Sequence, residues 1–458
     1  MRSIPKHYLF TAKDIKRLII PLIIEQILTV FVGIVDSMMI SSCGEAAVSG
    51  VSLVDTINVL IVNIFTALAT GGAVVSGQLI GMRNKKGAKE SADQVLIFTT
   101  MCAIAVMILV YILRKFIFST VFGAIDADVD GYARTYFLIV SAAIPFIGIY
   151  NAAAALFRAQ GNSKISMNVS LIMNGINVAG NAILIYGFKM GVAGAAIPTL
   201  VSRMAAAVIM LIRLSDQSLV LSISKPFKLR LDFKLIRRIL RIGIPNALEN
   251  SMFQLGKILT ISIVTTFGTV HITANAVCNT LAMFQIIPGM AIGQGILTVV
   301  SQCAGANDYK QADFYVKRLI GLIYAMSIVM CTIILALMPI IIKGYNLSPE
   351  TAALVEKIII YHSICVCTIW AFSFALPQSL RAANDVMYPM LTSAFSMWVF
   401  RVGASFVIAK GFGLGAFGVW IAMTIDWFVR GIFYLFRYRH TILKRADLKR
   451  TRAKEQVV

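Results

Sequence analysis

Charge is scarce in this sequence. Only 14% of its 458 residues are Asp, Glu, Lys or Arg, while 58% are hydrophobic, and that mixture cannot be arranged as a soluble core under a polar skin. Histidine is rarer still, with four scattered residues and no spacing that would hold zinc. The seven cysteines are an odd number spread through apolar segments, and Cys365 and Cys367 form C-x-C rather than C-x-x-C. They read as packing residues, not as a disulfide or metal framework. Neither H-E-x-x-H nor another cluster of His, Asp or Ser at catalytic spacing is visible, so the expectation is that the chain is not an enzyme and carries no cofactor. No cleavable signal peptide is expected either, because the first apolar segment is too long and lacks a small-residue cleavage site.

What is present is a succession of apolar stretches long enough to cross a bilayer, which takes roughly 20 residues each. About twelve fall at 15–41, 47–80, 92–120, 133–158, 165–187, 192–214, 237–267, 274–303, 314–342, 355–381, 387–410 and 416–436. The formal net charge of +21 would suit nucleic acid, but the cations sit on alternate loops. One set includes Lys13, Lys16 and Arg17; Arg83, Lys85, Lys86 and Lys89; the stretch from Lys225 to Arg241; Lys310, Lys317 and Arg318; and the tail from Arg437 to Lys454. The opposite loops carry Glu45, Asp126, Asp128 and Asp130, with few cations. This is the positive-inside pattern: a multi-pass protein of the cell membrane with both termini cytoplasmic and no nucleic-acid partner.

The chain is also written twice. "IIPLIIEQIL" from Ile19 answers "GIPNALENSM" from Gly243, matching Pro21 to Pro245 and Glu25 to Glu249 at an offset of 224. The same offset pairs Gln78 and Gly81 with Gln302 and Gly305, and Gly191 and Gly194 with Gly415 and Gly418, while Arg158 and Arg381 differ by 223. Ordered matches of Pro, Gln, Gly and Arg at one spacing indicate an internal duplication. Six spans per half start both repeats on the same side, making them parallel about an axis along the membrane normal, with a substrate path expected between the lobes. The expected divisions are an N-lobe over 1–214, a cytoplasmic linker over 215–236, a C-lobe over 237–436 and a basic cytoplasmic tail over 437–458.

The pattern P-x(14)-D in the first span, Q-x-x-G closing the second, [LF]-R-A-x-[GN]-[ND] after the fourth and tenth, and G-x-x-G opening the sixth and twelfth resembles the multidrug and toxic compound extrusion (MATE) family across essentially the whole chain. The resemblance implies an all-α fold of twelve transmembrane helices in two six-helix lobes, acting as an antiporter that exports organic cations in exchange for H⁺ or Na⁺.

Asp36, in "FVGIVDSMMIS", is an ionisable group within an apolar run. Such a group costs about 2.5–3.5 kcal/mol at helix-centre depth on insertion scales and needs protein or water to face. At roughly 1.5 Å per residue, Asp36 lies about 28 Å above Arg17, in the same layer as Asn177 and Asn181 of the fifth span and Thr199 of the sixth. Their oxygens suit Na⁺ or a protonated carboxyl. Pro198 also frees a backbone carbonyl beside Thr199. Simple interhelical hydrogen bonding is the other reading of Asn177, Asn181 and Thr199. The resemblance implies that Asp36, Asn177, Asn181 and Thr199 hold the coupling cation, with Asn151 nearby. Related transporters often carry Asp where this chain has Asn181; with a single carboxylate, H⁺ is the preferred ion over Na⁺.

Glu25 precedes Asp36 by eleven residues, three turns plus about 20°, so the two share a face. Glu25 and Glu249, with Gln26, Asn250 and Gln254, are candidates to attract a cationic or amphiphilic small molecule across a central cleft. Alternatively, each glutamate pairs with a basic residue at the cytoplasmic rim. The C-lobe has Phe253 where another MATE branch carries Glu, and Arg401 stands 224 residues after Asn177; a salt bridge from Arg401 to Asp426 is expected there. A monomer is expected. The competing function is a flippase of lipid-linked oligosaccharides or other amphiphiles from the same superfamily, which would favour arginines lining the cleft.

Overall fold

The computed structural model describes residues 8–123, 126–224 and 231–447. Pro226 of the expected linker and the end of the basic tail lie outside these residues. Among the described residues the chain is helical throughout, with no strand, and twelve successive rods account for nearly all of it. In chain order they are α1 (Ala12–Ser41), α2 (Glu45–Gly81), α3 (Lys85–Ile112), α4 (Ala127–Ser141 continued by Ile144–Ala159), α5 (Ser163–Gly187) and α6 (Ala193–Leu214). There follow α7 (Phe233–Thr265), α8 (Thr269–Gly305), α9 (Tyr309–Gly344), α10 (Pro349–Ala382), α11 (Met387–Gly411) and α12 (Gly415–Asp447).

Ten of these helices are each long and apolar enough to cross a membrane, and α4 makes an eleventh crossing although it bends by 48° between its halves. Pro145, at the start of the second half, lacks the N–H that would continue the ladder, which accounts for the break. The remaining rod, α7, has 33 residues, ample for a bilayer. Its composition hides it, because Lys234, Arg237, Arg238, Arg241, Glu249 and Lys257 all lie along it.

The duplication is legible in the helix boundaries themselves. Glu45 and Gly81 of α2 become Thr269 and Gly305 of α8, Lys85 opening α3 becomes Tyr309 opening α9, and Ser163 opening α5 becomes Met387 opening α11, each 224 residues on. The turns repeat as well. Gly44 and Gly268, before α2 and α8, have φ of 101° and 89°, a region that glycine enters without a Cβ penalty. The side chain of Asn84 caps α3 by accepting from Gly87 N at 2.9 Å, and Asp308 caps α9 by accepting from Gln311 N at 3.1 Å. Although α11 has a further π-helical turn over Met397–Gly403, the last turns are wound alike: α5 and α11 end in π-helical turns over Ala182–Gly187 and Phe406–Gly411. There Phe188 N donates to Ile183 O and Phe412 N to Val407 O, five residues back.

By packing, the chain forms two compact units whose boundaries lie between Ile15 and Lys16 and between Ala247 and Leu248. Both boundaries fall inside a helix, α1 and α7. The unit from Lys16 to Ala247 is built around α2, whose Val51, Val54 and Phe65 are buried against Phe137 and Ile144 of α4. The first turns of α7 belong to this unit: Arg238 donates to Gln78 at 2.6 Å, and Leu240 joins the core. Gly71 makes the approach feasible, since a Cβ there would stand 2.5 Å from the Ile239 carbonyl oxygen. The other unit packs Val277 and Leu281 of α8, Ile358 of α10 and Trp420 of α12. The segment before α1 lies on it, with Phe10 N donating to Tyr315 Oη at 2.9 Å and Tyr315 Oη donating to Phe10 O at 2.7 Å.

Gly71→Ala is expected to destabilise the protein by about 1–3 kcal/mol, because the obstructing atom is backbone and cannot swing aside. Thermal unfolding in detergent should register a lowered midpoint. Gly175→Ala, where nothing lies within 4 Å of the added methyl, should leave it unchanged or slightly raised.

Candidate functional site

A cavity of about 270 Å³ opens within the Lys16–Ala247 unit, lined by residues of α1, α2, α4, α5 and α6. Asp36 projects into it from α1. Asn177 and Asn181 face it from α5, one turn apart and therefore on one side of the helix. Thr199 faces it from α6. The local sequence explains why α5 and α6 come so close: Gly180 has no side chain, and a Cβ there would meet the Pro198 ring at 2.6 Å. The residue after that proline is Thr199.

The Asp36 carboxylate is half-buried, whereas Asn177 and Asn181 are 7% and 1% exposed. Asn181 Nδ2 donates to Asp36 Oδ1 at 2.9 Å. The orientation of the Asn177 amide that satisfies all its neighbours has the nitrogen donating to Asp36 Oδ1 and Oδ2 at 2.9 and 3.0 Å, and the oxygen accepting from Thr199 Oγ1 at 3.1 Å. Asn181 Oδ1 is buried without a donor. Three amide contacts thus converge on one carboxylate, and one amide oxygen stands unengaged beside them.

The expectation of a single carboxylate is corrected here. Asp55 of α2 lines the same cavity, as does Arg203 of α6. Asn58 Nδ2 and Tyr136 Oη each donate to Asp55 Oδ1 at 3.4 Å. Among the described residues, neither Asp36 nor Asp55 has a basic nitrogen within 4.0 Å. A signal for both existed in the sequence. Asp55 is a second ionisable residue inside an apolar run, and Arg203 follows Thr199 by four residues, which places it on the same helix face. Asn151 is not brought to this cavity; its Nδ2 instead donates to Ile147 O of its own helix at 3.0 Å. It lies in the second half of α4, whereas the α4 residue that lines the cavity, Tyr136, is in the first.

The two matched glutamates each meet the matched arginine of their own repeat. Glu25 accepts from Ser166 Oγ at 2.8 Å and Tyr150 Oη at 3.4 Å, and lies 3.9 Å from Arg158 Nη1. Glu249 accepts from Arg381 Nη2 at 2.6 Å, with both side chains nearly buried. A Glu one turn past the Pro of the first helix thus meets the Arg of the R-A-x-[GN]-[ND] turn in each repeat. The motif arginines were legible in the sequence; their partners were not, because more than 130 residues separate them. Gln26, Asn250 and Gln254 are half-buried and lie outside the cavity around Asp36.

In the unit after Ala247, Arg401 stands 3.8 Å from Asp426, which is fully buried and also accepts from Arg430 Nη2 at 2.9 Å and Ser396 Oγ at 2.6 Å. Phe253 covers this cluster, its ring centroid 4.8 Å from the Arg401 guanidinium carbon and 5.8 Å from that of Arg430. This half carries its own tethered cations.

Twelve helices, a twofold internal repeat and a carboxylate-bearing cavity inside one repeat define a membrane transporter. The MatE family matches the chain over residues 21–183 and again over 245–407, reproducing the 224-residue offset, and the chain belongs to that family. It is 28% identical to the uncharacterized transporter YisQ of Bacillus subtilis over 92% of this chain and 93% of that protein. It is 25% identical to the probable multidrug resistance protein NorM of Thermotoga maritima, covering 97% and 96%. Its fold matches a structure described as the outward-facing conformation of a multidrug resistance MATE family transporter of the MOP superfamily, with a TM-score of 0.88, 19% identity and coverage of 95% and 96%. The chain is therefore a multi-pass transporter of the MATE, multidrug-efflux family, not an enzyme, and the family needs no cofactor.

Arg381→Gln is expected to cost about 3–5 kcal/mol by leaving Glu249 buried and unpaired. The double change Glu249→Gln with Arg381→Gln should recover most of that loss, as read by unfolding midpoints of the two variants against the wild type.

Proposed function

We propose that this chain is a secondary active antiporter that exports organic cations or cationic amphiphiles by alternating access, driven by an ion loaded at Asp36. What supports the reading is one observation: Asp36 stands in a cavity, held by the amides of Asn177 and Asn181, with no basic nitrogen within 4.0 Å among the described residues. An acid left without a protein cation in an apolar slab is suited to take an exchangeable one. The proton is the ion we assign. Amide N–H groups point at both Asp36 oxygens and favour the ionised carboxylate, so either ion must displace them; a proton needs one oxygen freed, whereas Na⁺ would need several oxygen ligands gathered. Asn181 Oδ1, Thr199 Oγ1 and the second carboxylate are the ligands Na⁺ would use instead. Coupling then follows from different ion affinities in the two conformations.

In this reading the lobes over 1–214 and 237–436 work as the two moving halves of a monomer, and the basic loops hold both termini in the cytoplasm. Glu25, Glu249, Gln26, Asn250 and Gln254 serve the substrate by cation exchange. The incoming cation displaces Arg158, held at 3.9 Å, more readily than Arg381, held at 2.6 Å. A flippase for pyrophosphate-linked lipids would want several arginines free of acids, whereas Arg381, Arg401 and Arg430 are engaged by Glu249 or Asp426 and the Asp36 cavity is lined by a single arginine, Arg203, beside two acids.

The test is ethidium efflux from vesicles under separately imposed pH and Na⁺ gradients. Wild type should respond to the pH gradient, and Asp36→Asn should fall to the level of vesicles without the protein. Undiminished gradient-driven efflux by Asp36→Asn would reject the assignment, and a response to the Na⁺ gradient alone would replace the proton with Na⁺.

A further inference from the structure

Three charged side chains line the Asp36 cavity: Asp36, Asp55 and Arg203, with Tyr136 the only other titratable group among its lining residues. Ionised together, they sum to one negative charge. Removal of the guanidinium would leave two. We propose that Arg203 is a built-in counter-ion that limits this cavity to one monovalent cation per cycle, with Asp55 as the acid it balances; the proposal rests on the assignment of Asp36 as the loading group.

The placement of Arg203 supports this role. It lies one turn beyond Thr199, whose hydroxyl meets Asn177, so any shift of α6 that alters the Asp36 cluster carries the guanidinium with it. Its Nη1 is shut off from solvent and has no hydrogen-bond partner, a costly state for a charged donor in an apolar setting. A committed Arg–carboxylate pair closes to about 2.7–2.9 Å, yet among the described residues Arg203 makes no ion pair within 4.0 Å. The guanidinium stands back from two acids, close enough to balance the charge of the cavity and far enough to leave Asp36 available. Asp36, clasped by two amides, is the acid already assigned to exchange, and Asp55, with Asn58 and Tyr136 each at 3.4 Å, is the remaining acid of the cavity for Arg203 to balance. On departure of the cation, the unengaged donor of Arg203 becomes the group that Asp36 can turn to.

Charge arithmetic makes the test specific. Asp55→Asn brings the cavity to zero, so Arg203 should capture Asp36 and gradient-driven ethidium efflux should be lost as completely as in Asp36→Asn, although Asp36 is intact. Asp55→Asn combined with Arg203→Gln returns the cavity to one negative charge and should restore efflux. Arg203→Gln alone leaves two negative charges, and the dependence of efflux on the coupling ion should change from first to second order. Coupled efflux by Asp55→Asn would overturn the proposal, as would a double variant that unfolds at the wild-type temperature yet stays as inactive as Asp55→Asn. Should either Arg203 variant fail to fold, Asp55→Asn alone decides. If Asp36→Asn still pumps, the loading site itself is wrong; if it is dead while Asp55→Asn pumps, only the counter-ion is.

Discussion

An ionised side chain surrounded by hydrocarbon and helix has no water to answer it, so each one needs a protein partner or a mobile ion. Most of the buried charge in this molecule obeys the first alternative. Glu249 has Arg381, Asp426 has Arg430 and Arg401, and Glu25 has Ser166, Tyr150 and a more distant Arg158. Asp36 and Asp55 do not. Among the described residues their carboxylates meet side-chain amides and hydroxyls inside a cavity, with no basic nitrogen within 4.0 Å, and the functional reading follows from that.

Duplication explains the scaffold, and divergence explains the site. The Pro, Glu and Arg that tie the first helix of each repeat to its fourth are kept in both copies, as are the glycine turns and the side-chain caps. The polar cluster is not kept. Asn177 in one repeat corresponds to Arg401 in the other, and the acid near Arg401 is already neutralised. A repeat that holds its cation by a covalent tether has no vacancy for a free one, so one half of the chain can serve as the engine while the other remains electrostatically constant.

Much of this was readable from the amino-acid order. Hydropathy marked about twelve spans, 237–267 among them despite its string of basic residues, and the Pro245 match to Pro21 placed that span as the first of the second repeat. Asp36, Asn177, Asn181 and Thr199 could be placed in one layer because helical rise converts residue number into depth. Depth says nothing about how one helix is turned toward another, however, so the apolar-run position of Asp55 and the four-residue step from Thr199 to Arg203 did not by themselves aim either side chain at Asp36. Both needed the helices to be rotated and packed before they pointed at Asp36. Asn151 failed for the opposite reason: an amide next to a carbonyl of its own preceding turn can be satisfied without reaching across to another helix. The glutamates were recognised as a pair, but their arginines could be found only once α1 and α7 were seen beside the turns after α4 and α10.

The π-helical turns that end α5 and α11 each contain one residue more than an α-turn would need, at positions 224 residues apart and with unlike sequences, AILIYG and FVIAKG. Loss of a single codon there would rewind the stretch and rotate the helix on one side of it by about 100° relative to the other. Asn181 is the residue immediately before the first of these turns. A change of length at this spot would therefore act as a rotary adjustment of the amide that holds Asp36.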